Sequence, residues 1–421
     1  MNSLLRQLHP YPFEKLAALL GADPEARSSG HAPSPAGEPL PAINLSIGEP
    51  KHPVPAFIRQ TMADALEDIG LYPTTRGELS LRQAMANWVQ QRFQLKESSV
   101  DPQRHILPVN GTREALFSIA QAVVDNSGND RPYVLMPNPF YQIYEGATLM
   151  AGAQPVYVPC HPDQHFLPDY QNIPPAILER TALLYLCSPG NPTGAVFPLA
   201  TLQKLIELAL RYQIVLASDE CYSEIWYDHP PAGLLQAAQQ MGVERFDQCL
   251  VFHSLSKRSN MPGARSGFVA GDARLLEEYF RLRTYTGCAT PRFIQRAAIA
   301  AWQDEEHVRE NRILYQQKLH DALQILTPIL PVEAPDAGFY LWLRVPGGGE
   351  SFARHLYQRY HVTVLPGAYL GRPDVNGHNP GADYVRIAMV ASREENHQAM
   401  LRIAHCAQEL LSLSPTGRNL S

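Results

Sequence analysis

Four apolar runs that read as β-strands each end in a short cluster of polar or aromatic residues, and this repetition constrains the fold of the 421-residue chain more than any other feature. The clusters are Pro139-Phe140-Tyr141, Ser188-Pro189-Gly190-Asn191-Pro192-Thr193-Gly194, Ser218-Asp219-Glu220-Cys221-Tyr222 and Ser254-Leu255-Ser256-Lys257. They follow strands expected over 133–136, 182–187, 214–218 and 250–253. A fifth cluster, Asn110-Gly111-Thr112, joins a strand expected over 105–109 to a helix over 113–124. In that helix Leu116, Ile119, Ala120 and Val123 share one face and Thr112 is the expected N-cap. A further helix over 199–211, with Leu202, Leu205, Ile206 and Ala209 on one face, separates two of the strands. Strands alternating with helices give an α/β fold with a largely parallel sheet. Ligands of such sheets lie in the crevice beyond the carboxyl ends of the strands, so the five clusters are expected to converge on one site.

The C-terminal pattern is different. Phe339, Leu341, Leu343 and Val345 alternate with Tyr340, Trp342 and Arg344, as in a half-buried antiparallel strand, and a second such strand is expected over 384–390. With helices over 350–360 and 393–413, this reads as a smaller α/β domain. A chain of 421 residues exceeds what one core supports. The expected division is residues 1–44 as an N-terminal helix, over 12–20, plus a Pro-rich linker over 23–41; residues 45–304 as the large domain; and residues 305–421 as the small one. Gly347-Gly348-Gly349 reads as a turn.

A formal net charge of -6, with no block of Lys or Arg, argues against nucleic acid as a partner. No segment approaches the length of a membrane span, and the N-terminus lacks the basic and apolar regions of a targeting signal, since Pro12, Glu14 and Lys15 interrupt it. The six cysteines, Cys160, Cys187, Cys221, Cys249, Cys288 and Cys406, show no C-x-x-C spacing, so neither a metal site nor a disulfide framework is expected and a cytoplasmic location fits. Dinucleotide, P-loop, nucleophile-elbow and H-E-x-x-H signatures are all absent.

The most specific chemical signal is Ser254-Leu255-Ser256-Lys257 followed by Gly263, Arg265 and Gly267. A lysine flanked by small hydroxyl residues, with an arginine shortly after, suits a Schiff-base lysine beside a phosphate. The segment resembles the pyridoxal-phosphate (PLP) attachment signature of the class I/II aminotransferases, which have the fold-type I architecture, and the likeness extends over about 43–402. One departure is Ser266, where an aliphatic residue is usual. The resemblance implies PLP as cofactor, linked to Lys257, which also serves as proton shuttle. It implies Asp219 as partner of the pyridine nitrogen, Tyr222 and Asn191 as donors to the phenolic oxygen, and Tyr141 as the ring stacked on the cofactor. The phosphate would take the backbone N–H groups of Thr112 and Arg113 at a helix start, with Ser254, Ser256 and Arg265. Tyr72, in Tyr72-Pro73-Thr74-Thr75, matches a phosphate tyrosine donated by a second subunit, which implies a homodimer with shared active sites. Arg386, between apolar neighbours, and Gly48 match the contacts to the substrate α-carboxylate.

Longer stretches are similar to the succinyldiaminopimelate aminotransferases of lysine biosynthesis in proteobacteria. They are residues 8–16, with His9-Pro10-Tyr11-Pro12-Phe13, residues 46–53, with Gly48-Glu49-Pro50-Lys51-His52-Pro53, residues 138–146 and residues 253–260. The likeness implies N-succinyl-L,L-diaminopimelate and glutamate as amino donors and 2-oxoglutarate as acceptor. A distal carboxylate then needs its own cation, and Lys51, Arg76, Arg113, Arg258 and Arg292 all qualify by sequence. The rivals are an aminotransferase for aspartate, acetylornithine or aromatic amino acids, a PLP lyase, and a non-catalytic PLP-binding regulator.

Overall fold

The structure is a computed structural model and describes residues 1–21, 40–128 and 130–413. Most of the expected Pro-rich linker lies outside the described residues. Among the described residues twelve strands run in chain order as β1 (Ile43–Asn44), β2 (Ile106–Val109), β3 (Tyr133–Asn138), β4 (Gln154–Pro159), β5 (Thr181–Cys187), β6 (Val215–Asp219), β7 (Cys249–Ser254), β8 (Gly267–Gly271), β9 (Tyr340–Arg344), β10 (Val362–Thr363), β11 (Leu365–Pro366) and β12 (Tyr384–Ala388).

Seven of these form one sheet in the order β2-β8-β7-β6-β5-β3-β4. Every neighbouring pair is parallel except those involving β8, which runs antiparallel to both β2 and β7. The register sets Asp219 opposite Cys187 of β5 and Phe252 of β7, so the three central strands end at one level. Their residues are buried without alternation because both faces are covered. On one face Leu184, Leu186, Leu216 and Val251 pack with Leu202, Leu205 and Ile206 of the helix Leu199–Tyr212. On the other, Leu183, Tyr185, Leu250 and Phe252 pack with Leu116 and Ile119 of the helix Thr112–Val123.

That helix starts one residue earlier than the sequence implied, and Gly111, not Thr112, is its N-cap, at φ 84°. A positive φ favours a residue without Cβ, so glycine takes the turn and leaves the threonine hydroxyl free to meet the Cys221 Sγ at 3.0 Å.

A three-stranded antiparallel sheet, β11-β12-β9, carries the C-terminal core, with Leu341, Leu343, Val385 and Ile387 against the helices Gly349–Tyr360 and Arg393–Leu413. Strand β9 is not half-buried as its alternation suggested: only Arg344 is exposed. The face expected to meet solvent is covered, because Trp342 stacks on Tyr384 at 5.0 Å and Tyr340 lines a cavity. Residues Ile43 and Leu45 bury in the same C-terminal core, where β1 pairs in parallel with β10. Gly348 caps the helix Gly349–Tyr360. No helix among the described residues is long and apolar enough to cross a membrane, and they hold no cluster of side chains suited to a metal ion.

Candidate active site

A cavity of about 370 Å³ opens at the carboxyl ends of the central strands. Each of the five clusters sends residues to its wall: Thr112 and Arg113; Tyr141; Asn191; Asp219 and Tyr222; and Ser254, Ser256 and Lys257. Arg265, Gly48 and Arg386 complete the set from other parts of the chain. Tyr72 is the one candidate elsewhere. It is fully exposed, at 101%, beside Ile69, Leu71, Pro291 and Phe293.

One end of the cavity is built for an anion. The helix Thr112–Val123 begins there, so its first backbone N–H groups have no partner within the helix. The Arg265 guanidinium lies so close to Gly111 that a Cβ there would come within 2.2 Å of Nη2. Ser254 Oγ and Ser256 Oγ are 3.0 Å apart, and Ser254 caps the short helix Leu255–Arg258 that presents Lys257. The backbone of Ser266, the departure noted above, receives Leu255 N at 3.2 Å, and its side chain is buried.

Asp219 is only 4% exposed. Burial pushes its pKa up, while hydrogen bonds from Tyr144 Oη at 2.8 Å and Cys221 N at 3.3 Å pull the other way. Among the described residues no cation lies within ion-pair distance of it, and a buried carboxylate in that position is costly unless a ligand brings one. Lys257 Nζ donates to the carbonyl oxygen of Gly48. Desolvation lowers its pKa to about 8, reinforced by the charges of Arg386 and Arg265 and opposed by Cys221 and Glu49.

Arg386 donates from Nη1 to Asn191 Oδ1 at 3.0 Å and from Nη2 to Ser46 O at 2.7 Å, and its guanidinium lies 4.4 Å from the Tyr340 ring centroid. Its Nε is buried with no hydrogen-bond partner, although the residue is 4% exposed. An unmet donor on a buried guanidinium fits a carboxylate ligand. Tyr222 Oη and Tyr340 Oη are 3.0 Å apart.

An anion cup at one end, a buried carboxylate opposite and a depressed lysine between them suit a phosphorylated, cationic heterocycle that carries an aldehyde. The residues present therefore fit PLP. Sequence reasoning missed Tyr11, Phe13, Gln142, Cys221 and Tyr340 on the wall, and Tyr144 behind Asp219. Tyr340 sat on the strand face expected to be wet. Tyr144 falls one helical turn after Tyr141 and could have been found by that spacing.

The five cations proposed by sequence for a distal carboxylate separate clearly. Arg76 pairs with Glu277, Arg258 with Glu305 and Arg292 with Glu78. Lys51 is exposed and away from the wall. Only Arg113 lines the cavity, where its guanidinium lies 5.2 Å from the Tyr11 ring centroid and, among the described residues, has no carboxylate within ion-pair distance.

Comparison with known proteins places this geometry. An LL-diaminopimelate aminotransferase from Dehalococcoides mccartyi strain 195 is 31% identical over 414 residues, covering 96% of this chain and 98% of the relative. An aminotransferase from Neisseria meningitidis Z2491 superposes with a TM-score of 0.88 at 45% identity, covering 97% of this chain and all of that one. The aminotransferase AspB from Helicobacter pylori 26695 gives 0.85 at 36%, covering 95% and 99%. The sequence model of the family described as aminotransferase class I and II matches residues 41–403. Fold, cavity and sequence agree that the chain belongs to the class I and II aminotransferases, PLP-dependent enzymes of fold type I that act on small amino and keto acids.

Proposed function

We propose that this aminotransferase acts on N-succinyl-L,L-2,6-diaminopimelate, transferring its amino group to 2-oxoglutarate to give N-succinyl-2-amino-6-oxopimelate and glutamate. The observation that carries the reading is the charge of the cavity wall: among the described residues Arg113, Arg265, Arg386 and Lys257 line it against the one carboxylate of Asp219. Arg265 is assigned to the phosphate and Arg386 to the α-carboxylate, which leaves Arg113 for a distal carboxylate of donor or acceptor. LL-diaminopimelate, named for the relatives at 31–32% identity, is the second reading. Its distal ammonium would find no carboxylate beyond Asp219 among the described residues of this wall, whereas succinylation replaces that ammonium by a neutral amide and adds a carboxylate.

Bound PLP supplies an electron sink that makes the α-proton of an amino acid acidic. Asp219 would keep a proton at the ring nitrogen. Asn191 and Tyr222 would donate to the phenolic oxygen, and Tyr141 would stack on the ring. Thr112 and Arg113 through their backbone N–H groups, with Ser254, Ser256 and Arg265, would hold the phosphate. Lys257 would anchor the cofactor, and its amine, whose pKa burial lowers to about 8, is the group of this chain that would take up and return the substrate α-proton. Gly48 and Arg386 hold the substrate carboxylate bidentately.

Tyr72, outside this chain's own cavity, is assigned to the phosphate of a second copy, so the working unit is a homodimer. The exposed Ile69, Leu71 and Tyr72 support that reading. The same reading takes residues 45–304 and 305–421 as the large PLP-binding and small domains of a cytoplasmic enzyme.

The test is a substrate panel: succinyldiaminopimelate, LL-diaminopimelate, acetylornithine, aspartate and an aromatic amino acid, each with 2-oxoglutarate, on the parent enzyme and Arg113→Ala. The parent should prefer the succinylated substrate. Arg113→Ala should lose about tenfold or more in kcat/KM for it and much less for the aromatic amino acid. Equal parent rates across the panel would refute the narrow assignment.

A further inference from the structure

Behind the Gly48 loop lies a polar chain, with Asn311 and Lys318 buried and His52 half-buried, that no step above uses. His52 follows Gly48 in that loop, and its Nδ1 is 2.7 Å from Asn311 Oδ1 on the helix Glu306–Leu326. Asn311 Oδ1 also accepts from Asn260 Nδ2 at 3.0 Å, and Asn311 Nδ2 donates to the carbonyl of Lys257 at 3.4 Å. These contacts fix the amide orientation, so the hydrogen between the two side chains belongs to His52 Nδ1. Its Nε2 is then a lone pair, and Lys318 Nζ faces it at 2.7 Å. The two other N–H groups of Lys318 meet Met389 O, at 3.3 Å, and Ala391 O, both just after β12.

Lys318 is thus an ammonium only 3% exposed, with three acceptors and, among the described residues, no carboxylate within ion-pair distance. Burial lowers its pKa to about 8. A methionine would fill the space without the desolvation cost, so packing alone does not account for a charge here. What the chain joins is specific: the loop that carries Gly48, the segment that follows Arg386, and the peptide of Lys257.

We propose that His52, Asn311 and Lys318 are a positioning clamp for transamination, holding the carboxylate contacts Gly48 and Arg386 at a set spacing from Lys257. The inference rests on the roles assigned above to those three residues. None of the clamp residues touches the cavity. Their action is through the backbones they tie together, so substrate binding should suffer more than turnover.

Three variants of the PLP-loaded enzyme test this. His52→Phe keeps a ring against Tyr315, now 4.6 Å away, and removes both hydrogen bonds. Lys318→Met removes the charge and keeps the bulk. His52→Gln retains an amide oxygen that accepts from Lys318. His52→Phe and Lys318→Met should raise KM for glutamate about tenfold, with kcat within about threefold. His52→Gln should recover most of the loss.

Of the charged and titratable groups, Lys318 faces His52 and Tyr315 packs on its ring, both from the helix Glu306–Leu326; Lys51 adjoins it in its own loop, and Glu395 of the last helix acts on Lys318. Protonating His52 sets two cations face to face, and burial already holds its pKa below the usual 6.5. KM of the parent should therefore climb as pH falls through that region, while His52→Gln stays flat. Independently of turnover, nitrogen NMR of the cofactor-free chain should show Nε2 of His52 unprotonated at pH 7 and perturbed by Lys318→Met.

Unchanged KM in both His52→Phe and Lys318→Met, a glutamine variant as impaired as the phenylalanine one, or a protonated Nε2 would each overturn the clamp. Arg386→Lys is the control: if it too leaves KM unchanged, the carboxylate role of Arg386 has failed and not the clamp alone.

Discussion

Removing one hydroxyl, in Tyr144→Phe, should weaken the hold on PLP more than most substitutions in the cavity wall. Tyr144 is wholly buried, stacks on Tyr185 at 4.5 Å and donates to Asp219 Oδ2 at 2.8 Å. Phenylalanine keeps the stack and leaves that oxygen without its donor. Asp219 would retain the contacts of Cys221, from its side chain and from its backbone N at 3.3 Å. A hydrogen bond to a buried carboxylate is worth about 1.5–3 kcal/mol. Losing it disfavours the ionised form, the one that the proposed function pairs with the pyridine nitrogen, and burial already raises the pKa of this carboxyl. If most of that energy is expressed in binding, the dissociation constant for PLP rises roughly ten- to a hundredfold. Titrating cofactor-free protein with PLP, followed by absorbance, measures this directly, and single-turnover conversion with glutamate should slow in parallel. A variant that binds PLP as tightly as the parent, with unchanged single-turnover rate, would refute the claim that Tyr144 keeps Asp219 ionised.

Arg386→Lys should raise KM for both amino and keto acids about tenfold or more, because an ammonium keeps the charge and loses the paired donors; steady-state kinetics with glutamate and 2-oxoglutarate check it. In the cofactor-free protein, capture of PLP by Lys257 should quicken as pH rises through about 8, where the neutral amine appears, and level off above it; a rate still climbing toward 10.5 would show an unperturbed lysine. The same depression means that the unfolded chain binds the extra proton between about 8 and 10.5, so stability should increase with pH across that window, and Lys257→Met should flatten its share of the slope in pH-dependent urea unfolding. Gly111→Ala should destabilise the fold by about 1–2 kcal/mol from its left-handed backbone alone, and should also weaken PLP binding by displacing the Arg265 guanidinium, measurable by thermal unfolding with and without the cofactor.

Much of the fold was legible along the chain. Buried strands of a parallel sheet are short continuous apolar runs, and the polar clusters at their ends mark where backbone must turn and ligands can bind, so β3, β5, β6 and β7 and the residues after them could be located from local pattern. The register that levels Asp219 with Cys187 and Phe252 converts that one-dimensional order into a common wall. The spaced lysine motif pointed to Lys257 and Arg265 because those residues are close in the chain as well as in space.

Tertiary structure decided what depends on distant partners. Tyr340 looked solvent-facing because alternation records only that one side of a strand differs from the other, not what covers it. Tyr11 and Phe13 belong to a terminal helix whose own pattern says nothing about the cavity it reaches. Five basic residues were equivalent in sequence for a distal carboxylate; three proved to be neutralised by carboxylates from far along the chain, one faces solvent, and Arg113 remains on the wall. Whether a charge is spent within the protein or available to a ligand is a property of the neighbours that folding supplies. The sequence determined that this chain builds an α/β sheet with Lys257 just beyond the carboxyl end of one of its strands; only the packing of remote segments determined which side chains surround that lysine and which of them are left with bonds to make.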